Sequence, residues 1–284
     1  MPGHRSLRRR AIIYSALFAV CVSLAATACR GASETANVLD DGATPTTAST
    51  TPTSAPRPYT VAISAGHGGP DNAGAVHHDA QGNVDLIEKD LNLDLARRLD
   101  ALLRAAGYRT VMVRDGDASL TQPGAGSTEA TRAESQARTD VANAAGADIV
   151  LALHFNGHDD SSQSGTEVYY NPDRAFGARN EALARFVHDA LIEGIRSTGY
   201  AVRDRGIMND DSIGERFDQE HTFLLGEAAG FRPTQMPGII CEPLFVTNDA
   251  EAALLQRDGL RQAIAEAYGA GIEDYFSWLE RGQP

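Results

Sequence analysis

The chain has little cysteine, almost no lysine and no internal repeat. Of its three cysteines, Cys21 and Cys29 lie near the N-terminus and only Cys241 falls in the body of the chain. A body with one cysteine closes no disulfide, so its stability must come from a hydrophobic core or a metal. Lysine occurs once, as Lys89, against 24 arginines. Leu86 stands three residues before Lys89 and Glu88 directly before it, which excludes both an S-x-x-K nucleophile and a phosphate-binding loop. A G-x-S-x-G elbow is also missing. Positive charge is in deficit: the formal net charge of −13 becomes about −18 without the five arginines of residues 1–30, which argues against nucleic acid as a partner.

What is present begins with an export signal. Arg5, Arg8, Arg9 and Arg10 precede an uncharged, mostly apolar run from Ala11 to Ala28, and Ala26-Thr27-Ala28 is a small-x-small cleavage site, so residues 1–28 read as a signal peptide. Cys29 follows directly, and lipidation there is an equal reading. The 18-residue run could also stay as an anchor, since a span needs about 20 residues. All three readings predict an exported, extracytoplasmic protein of the cell envelope that meets the membrane only through its leader or lipid. Arg9-Arg10 also permits a twin-arginine route. Residues 29–58, rich in Thr, Ala, Ser and Pro, cannot bury enough apolar surface to fold and read as a disordered tether.

Residues 59–284 suit a single domain. Val61-Ala62-Ile63 has strand character and ends in Gly66-His67-Gly68-Gly69, a histidine among glycines. Gly74–Asn83 reads as a polar loop, and Glu88 opens a helix to Ala106 with Leu91, Leu95, Leu99, Leu102 and Ala106 as its apolar stripe, closed by Gly107. Tyr108–Val113 reads as a strand and Thr128–Ala145 as a helix. Asp148–Leu153 is a continuous apolar run, as in a parallel strand buried on both faces, and it ends in His154-Phe155-Asn156-Gly157. Gly165–Tyr170 predicts a strand and Phe176–Ser197 a helix. Residues 203–236 lack periodicity, which predicts a lid, a substrate wall or short hidden helices. Gly238–Cys241 is an apolar strand with Glu242 at its tip, because Pro243 cannot donate to a ladder. Asn248 and Glu251 make a capping-box-like start to the closing helices. This alternation predicts an α/β fold of three layers, a mostly parallel sheet flanked by helices.

In such sheets ligands bind beyond the carboxyl ends of the strands. His67, His154 and Glu242 fall there, and Glu88 begins the helix after the first strand. Two histidines and a glutamate are a standard set for a catalytic zinc, and a carboxylate outside that set serves as general base. Glu242, among Ile239, Ile240, Leu244 and Phe245, has an apolar setting expected to raise its pKa and suit acid/base work. Spacing alone supports a hydrolytic metal site at most, since no short pattern such as H-E-x-x-H joins the four.

The order of motifs resembles the zinc-dependent N-acetylmuramoyl-L-alanine amidases of the amidase-3 type. Ser64-Ala65-Gly66-His67-Gly68-Gly69 matches D-P-G-H-G-G, and Glu88-Lys89-Asp90 with Leu93 matches E-K-D-x-x-L. Arg138 to Asn143 is similar to R-x-x-x-A-N, His154-Phe155-Asn156 to H-x-N, and Glu242 to Asn248 to the family's last block. The resemblance implies one Zn²⁺ per domain held by His67, Glu88 and His154, with Glu242 as the catalytic glutamate. It also implies peptidoglycan or muropeptides as substrate, lesser roles for Asn156, Arg138 and Ser64 near substrate or ligands, and Arg203–Ile207 as a turn near the cleft. Ser64 replaces the family's aspartate and Ala152 its serine, which alters hydrogen bonds that orient the two histidines. Further expectations are a monomer and an activator protein that relieves a lid at 203–236. A zinc peptidase of stem peptides, or a silent wall-binding domain, remain as alternatives. His221 is a candidate plug reaching the metal from the lid. His77-His78 and His158-Asp159-Asp160 read as solvated surface, and Cys241 as a small buried apolar residue.

Overall fold

The computed structural model describes residues 57–121, 127–214 and 220–282; the expected signal peptide (1–28) and nearly all of the expected tether (29–58) lie outside the described residues. In chain order the elements are β1 (Thr60–Ala65), β2 (Val76–His78), β3 (Val84–Ile87), α1 (Glu88–Ala105), β4 (Arg109–Met112), α2 (Thr128–Ala144) and β5 (Ile149–Leu153). They continue as β6 (Thr166–Tyr170), α3 (Gly177–Ser197), β7 (Asp204–Asn209), α4 (Asp211–Gly214), β8 (Gly238–Glu242), α5 (Asp249–Leu255) and α6 (Asp258–Glu280).

Six strands form one sheet in the order β4-β1-β5-β8-β6-β7. Every neighbouring pair is parallel except β6 with β8. The continuous apolar runs of β1 and β5 are explained by their central place, where alternate residues serve opposite layers. Val61, Ile63, Ile149 and Leu151 join a core with Leu95 and Leu99 of α1, Val187 and Leu191 of α3, and Tyr268 and Phe276 of α6. On the other face Ala62 and Val150 pack with Ala142 of α2 and with Met236. The expected three-layer architecture is therefore found, with the central strands sandwiched.

Four local readings change. The supposed polar loop 74–83 contains β2, which pairs antiparallel with β3 as a hairpin apart from the main sheet. Its apolar residues are too few to give a strand signal. The α1 stripe uses Leu103, 1 % exposed, while Leu102 is only half-buried. Arg203–Ile207 is no turn: most of it lies in β7, the sheet's last strand, whose pairing with β6 shifts register between Thr166 and Glu167. That irregularity breaks the period-2 pattern and hides the strand. Asn248 caps α5 by accepting from the Glu251 amide at 3.0 Å, but Glu251 does not return the bond; its buried carboxylate accepts from Phe245 and Gly165 amides and the Tyr200 hydroxyl.

Within the 203–236 segment, residues 222–236 form a wall. Arg174 donates to the carbonyls of Leu225 and Thr234 at 3.0 and 2.6 Å. Gln136 and Asn143 of α2 exchange bonds with Arg232, Pro233 and Gln235. Residues 222–236 are thus fastened to the body by side chains that hold their backbone.

Candidate metal centre and cleft

His67 and His154 emerge from neighbouring strands, because Ala65 of β1 is in register with Leu153 of β5. After β1 the backbone turns sharply, and His67 takes φ of 57°, the one non-glycine residue in the left-handed region among the described residues. Arg138, reaching from α2, holds this turn: its guanidinium donates to Ala65 O and His67 O, both at 2.6 Å, and to Ser64 Oγ at 3.2 Å. Glu134, one turn earlier, pairs with Arg138 at 2.9 Å and also accepts from Ser119 and from the amides of Leu120 and Thr121. Arg138 therefore acts on the His67 backbone directly, and Ser64 acts on it through the Arg138 guanidinium.

Glu88 is the first residue of α1 and only 3 % exposed. Its Oε2 accepts from the Ala75 amide at 2.7 Å, and its Oε1 accepts from Asn92 Nδ2 and the Phe155 amide, both at 3.2 Å. The same Oε1 lies 3.0 Å from His67 Nε2 and 3.1 Å from His154 Nδ1. Asn72 Oδ1 lies 2.6 Å from His67 Nδ1, which assigns a proton to Nδ1 and leaves Nε2 as the nitrogen that faces the carboxylate. Two glycines make the approach possible. A Cβ at Gly66 would stand 2.3 Å from His154 Cε1, and one at Gly74 would stand 2.4 Å from Glu88 Oε2.

Burial alone would raise the Glu88 carboxyl, but the charge of His67 and the hydrogen bonds from both imidazoles hold it well below the usual carboxylate range. Burial pulls His67 down, yet the Glu88 carboxylate outweighs it and leaves His67 above its ordinary value. For His154 burial dominates and favours the neutral ring. One buried carboxylate between two imidazoles is a donor set of the kind that holds a divalent cation, and all three donor atoms lie within 4.8 Å of one another. The 3.0 and 3.1 Å spacings are near the roughly 3.3 Å between ligands of a tetrahedral ion bonded at 2.0–2.1 Å. The residues fit a metal.

These donors form the floor of a cavity of about 600 Å³. Glu242, at the end of β8, lines the same cavity, since Cys241 is in register with Leu153 on β5. Phe223 and Leu224 of the fastened wall face it from one side, Ser119, Thr121 and Glu134 from another. Asn156 also lines it, with its amide engaged by Glu167 and Gly157.

Other candidates fall elsewhere. His221 is no plug: it sits between Asp210, at 2.7 Å, and Asp173, at 3.1 Å. His77 is not simply solvated but bridges Asp85 and Asp249, whereas His78 is exposed. His158 and Asp160 form the expected surface turn. Cys241 is fully buried, and burial pushes its thiol well up, as fits an inert residue. Sequence reasoning missed Asn92, Asn72, Glu134 and Glu167. Asn92 and Glu134 had a usable signal, each lying four residues from a singled-out residue on the same helix face.

Residues 61–274 match the N-acetylmuramoyl-L-alanine amidase family of the Amidase_3 type. The chain is 29 % identical over 221 residues to the N-acetylmuramoyl-L-alanine amidase LytC of Bacillus subtilis, covering 76 % of this chain but 35 % of that longer protein. It is 27 % identical to the germination-specific N-acetylmuramoyl-L-alanine amidase of the same organism, covering 79 % of this chain and 81 % of the relative. Among solved structures, the amidase AmiC2 of Nostoc punctiforme is similar with a TM-score of 0.58 at 25 % identity, over 78 % of this chain and 99 % of that one. The CwlD amidase of Clostridioides difficile, solved with the GerS lipoprotein, shares the fold with a TM-score of 0.61 at 21 % identity, over 77 % and 98 %. With three metal-type donors on the floor of its cleft, the chain belongs to the N-acetylmuramoyl-L-alanine amidase family, hydrolases of the amide between N-acetylmuramic acid and L-alanine in peptidoglycan.

Proposed function

We propose that this domain hydrolyses the N-acetylmuramoyl-L-alanine amide with a Zn²⁺ held by His67, Glu88 and His154, and with Glu242 as general base and acid. The reading is carried by one observation: His67 Nε2 and His154 Nδ1 both face Glu88 Oε1 on the floor of a cavity that Glu242 also lines. Zinc, when bound, supplies a Lewis acid that polarises the carbonyl and makes water acidic near neutral pH. Asn72 keeps the His67 tautomer, and Asn92 with the Ala75 amide keeps the Glu88 carboxylate in place. Glu242 takes the proton of the attacking water and returns it to the nitrogen of L-alanine as that amine leaves. Phe223 and Leu224 limit bulk water on one side of the cleft.

The protein works outside the cytoplasm, exported by residues 1–28 and tethered through residues 29–58, anchored by lipid at Cys29 or released. No described helix is long and apolar enough to cross a membrane. The GerS lipoprotein is bound to a structural neighbour; for this chain a partner would act on the segment at 203–236, and the domain itself acts as a monomer.

Digestion of purified peptidoglycan with the zinc-loaded protein, read by mass spectrometry, tests the assignment. Chelator-sensitive release of peptides with a new N-terminal L-alanine is expected. Glu242→Gln should keep zinc and lose about 10²- to 10⁴-fold in kcat. Fragments with a different new amine would make the domain a peptidase instead.

A further inference from the structure

Glu167 is a buried carboxylate, 2 % exposed, that takes no part in the donor cluster. It stands directly across from Glu242 in the antiparallel pairing of β6 with β8, which brings the two Cβ atoms to about 4.5–5.5 Å. Its oxygens are fully engaged. Oε1 accepts from Asn156 Nδ2 and from the Tyr169 hydroxyl, and Oε2 pairs with Arg205 Nε, whose guanidinium lies over the Phe245 ring at 5.1 Å.

Asn156 connects this carboxylate to both arms of the site. Its side-chain oxygen accepts from the Gly157 amide at 3.1 Å while its nitrogen donates to Glu167, so both ends of the amide are held. Its backbone forms an isolated parallel bridge opposite Phe245: Asn156 N donates to Leu244 O and Val246 N donates to Asn156 O, both at 2.8 Å. The chain two residues beyond His154 is thereby stitched to the chain two residues beyond Glu242. The sheet does not need this stitch, because β5 and β8 are already paired as far as Leu153 and Cys241. What it constrains is the segment just beyond His154 against the segment just beyond Glu242, the last residue of β8.

We infer that Glu167 is a positioning residue for hydrolysis: through Asn156, and braced by Arg205, it fixes the separation between His154 on the metal side and Glu242 on the proton-transfer side. The inference rests on the amidase reading above. A displacement of about 1 Å between such groups costs on the order of 10²-fold in rate while leaving each group intact.

The test uses the full chain loaded with zinc, comparing Glu167→Gln, Asn156→Asp and the double exchange of both. Glu167→Gln leaves one acceptor oxygen where Asn156 and Arg205 each had their own, and Asn156→Asp sets two carboxylates face to face. In the double exchange the new amide at position 167 donates to the new carboxylate at position 156, and its carbonyl oxygen can still accept from Arg205, with net charge unchanged. Expected are a kcat loss of about 10²-fold in each single variant, with KM, zinc stoichiometry and Tm near wild type, and recovery of about tenfold or more in the exchange. Wild-type kcat in both single variants would overturn the inference, as would an exchange no better than Asn156→Asp. Parallel loss of zinc, Tm and kcat would reduce Glu167 to a purely structural role and overturn it as well. If zinc-loaded wild-type protein releases no L-alanine amine from peptidoglycan, the amidase reading itself fails and takes this inference with it.

Discussion

His67, Glu88 and His154 on the one hand, and Asp173, Glu220 and His221 on the other, each bring three metal-type donor atoms within 4.8 Å. In the first group a carboxylate lies between two imidazoles, and its side chain is 4 % exposed. In the second, His221 lies between Asp173 and Asp210, the latter outside the trio, and the Asp173 side chain is 68 % exposed. The inversion matters chemically. The His221 ring offers one nitrogen to each flanking carboxylate, so its contacts close within the protein. Two imidazoles and one carboxylate that converge through single atoms match the donor set of a divalent cation, which the His67 group is suited to hold. Surroundings differ likewise: Glu88 has backbone amides and Asn92 fixing its direction, whereas Asp173 has only the surface.

Removing a ligand from each group should split them most sharply. His154→Ala is expected to abolish tight zinc binding and amide hydrolysis together, while His221→Ala keeps one zinc per chain, as counted by inductively coupled plasma mass spectrometry. Zinc loss in His221→Ala would erase the distinction. A smaller effect follows from cutting the support of Glu88: Asn92→Ala should weaken zinc affinity by about 10- to 100-fold, measured by chelator competition, without altering the His221 group. The mildest effect concerns pH. In the metal-free protein His67 sits above its ordinary value, so its charged form stabilises the fold below about pH 6.5, and that contribution fades as pH rises through the folded value. Glu88 is depressed, so its contribution persists until strong acid. Zinc must displace the His67 proton, and the rise in Tm on adding zinc should be greater at pH 8 than at pH 5.5. An equal rise at both would mean that His67 is not a ligand.

The same contrast explains what could be read from the sequence. His67, His154 and Glu242 are legible because each follows a buried apolar strand, and a strand end is a fixed address in an α/β sheet. Glu88 is legible as the first residue of a strongly periodic helix. The supports are less so. Asn72 meets His67 only through the path of a loop, and Glu167 meets Asn156 only because β6 runs antiparallel to β8. No local pattern encodes either meeting. The misplacing of His221 has a similar origin: with β7 hidden by its register shift, the segment after residue 203 had no anchor, and its histidine could be drawn toward the metal. Once β7 is in the sheet, Asp210 at its end holds that imidazole elsewhere.

The left-handed backbone of His67 carries a further meaning for how this domain can change. A side chain in that conformation costs on the order of 1–3 kcal/mol, and glycine would relieve it. The most direct route to a sturdier turn is therefore also the route to a domain without the His67 imidazole beside Glu88. Selection for stability alone would remove this histidine, so its presence records a demand that the fold itself does not make.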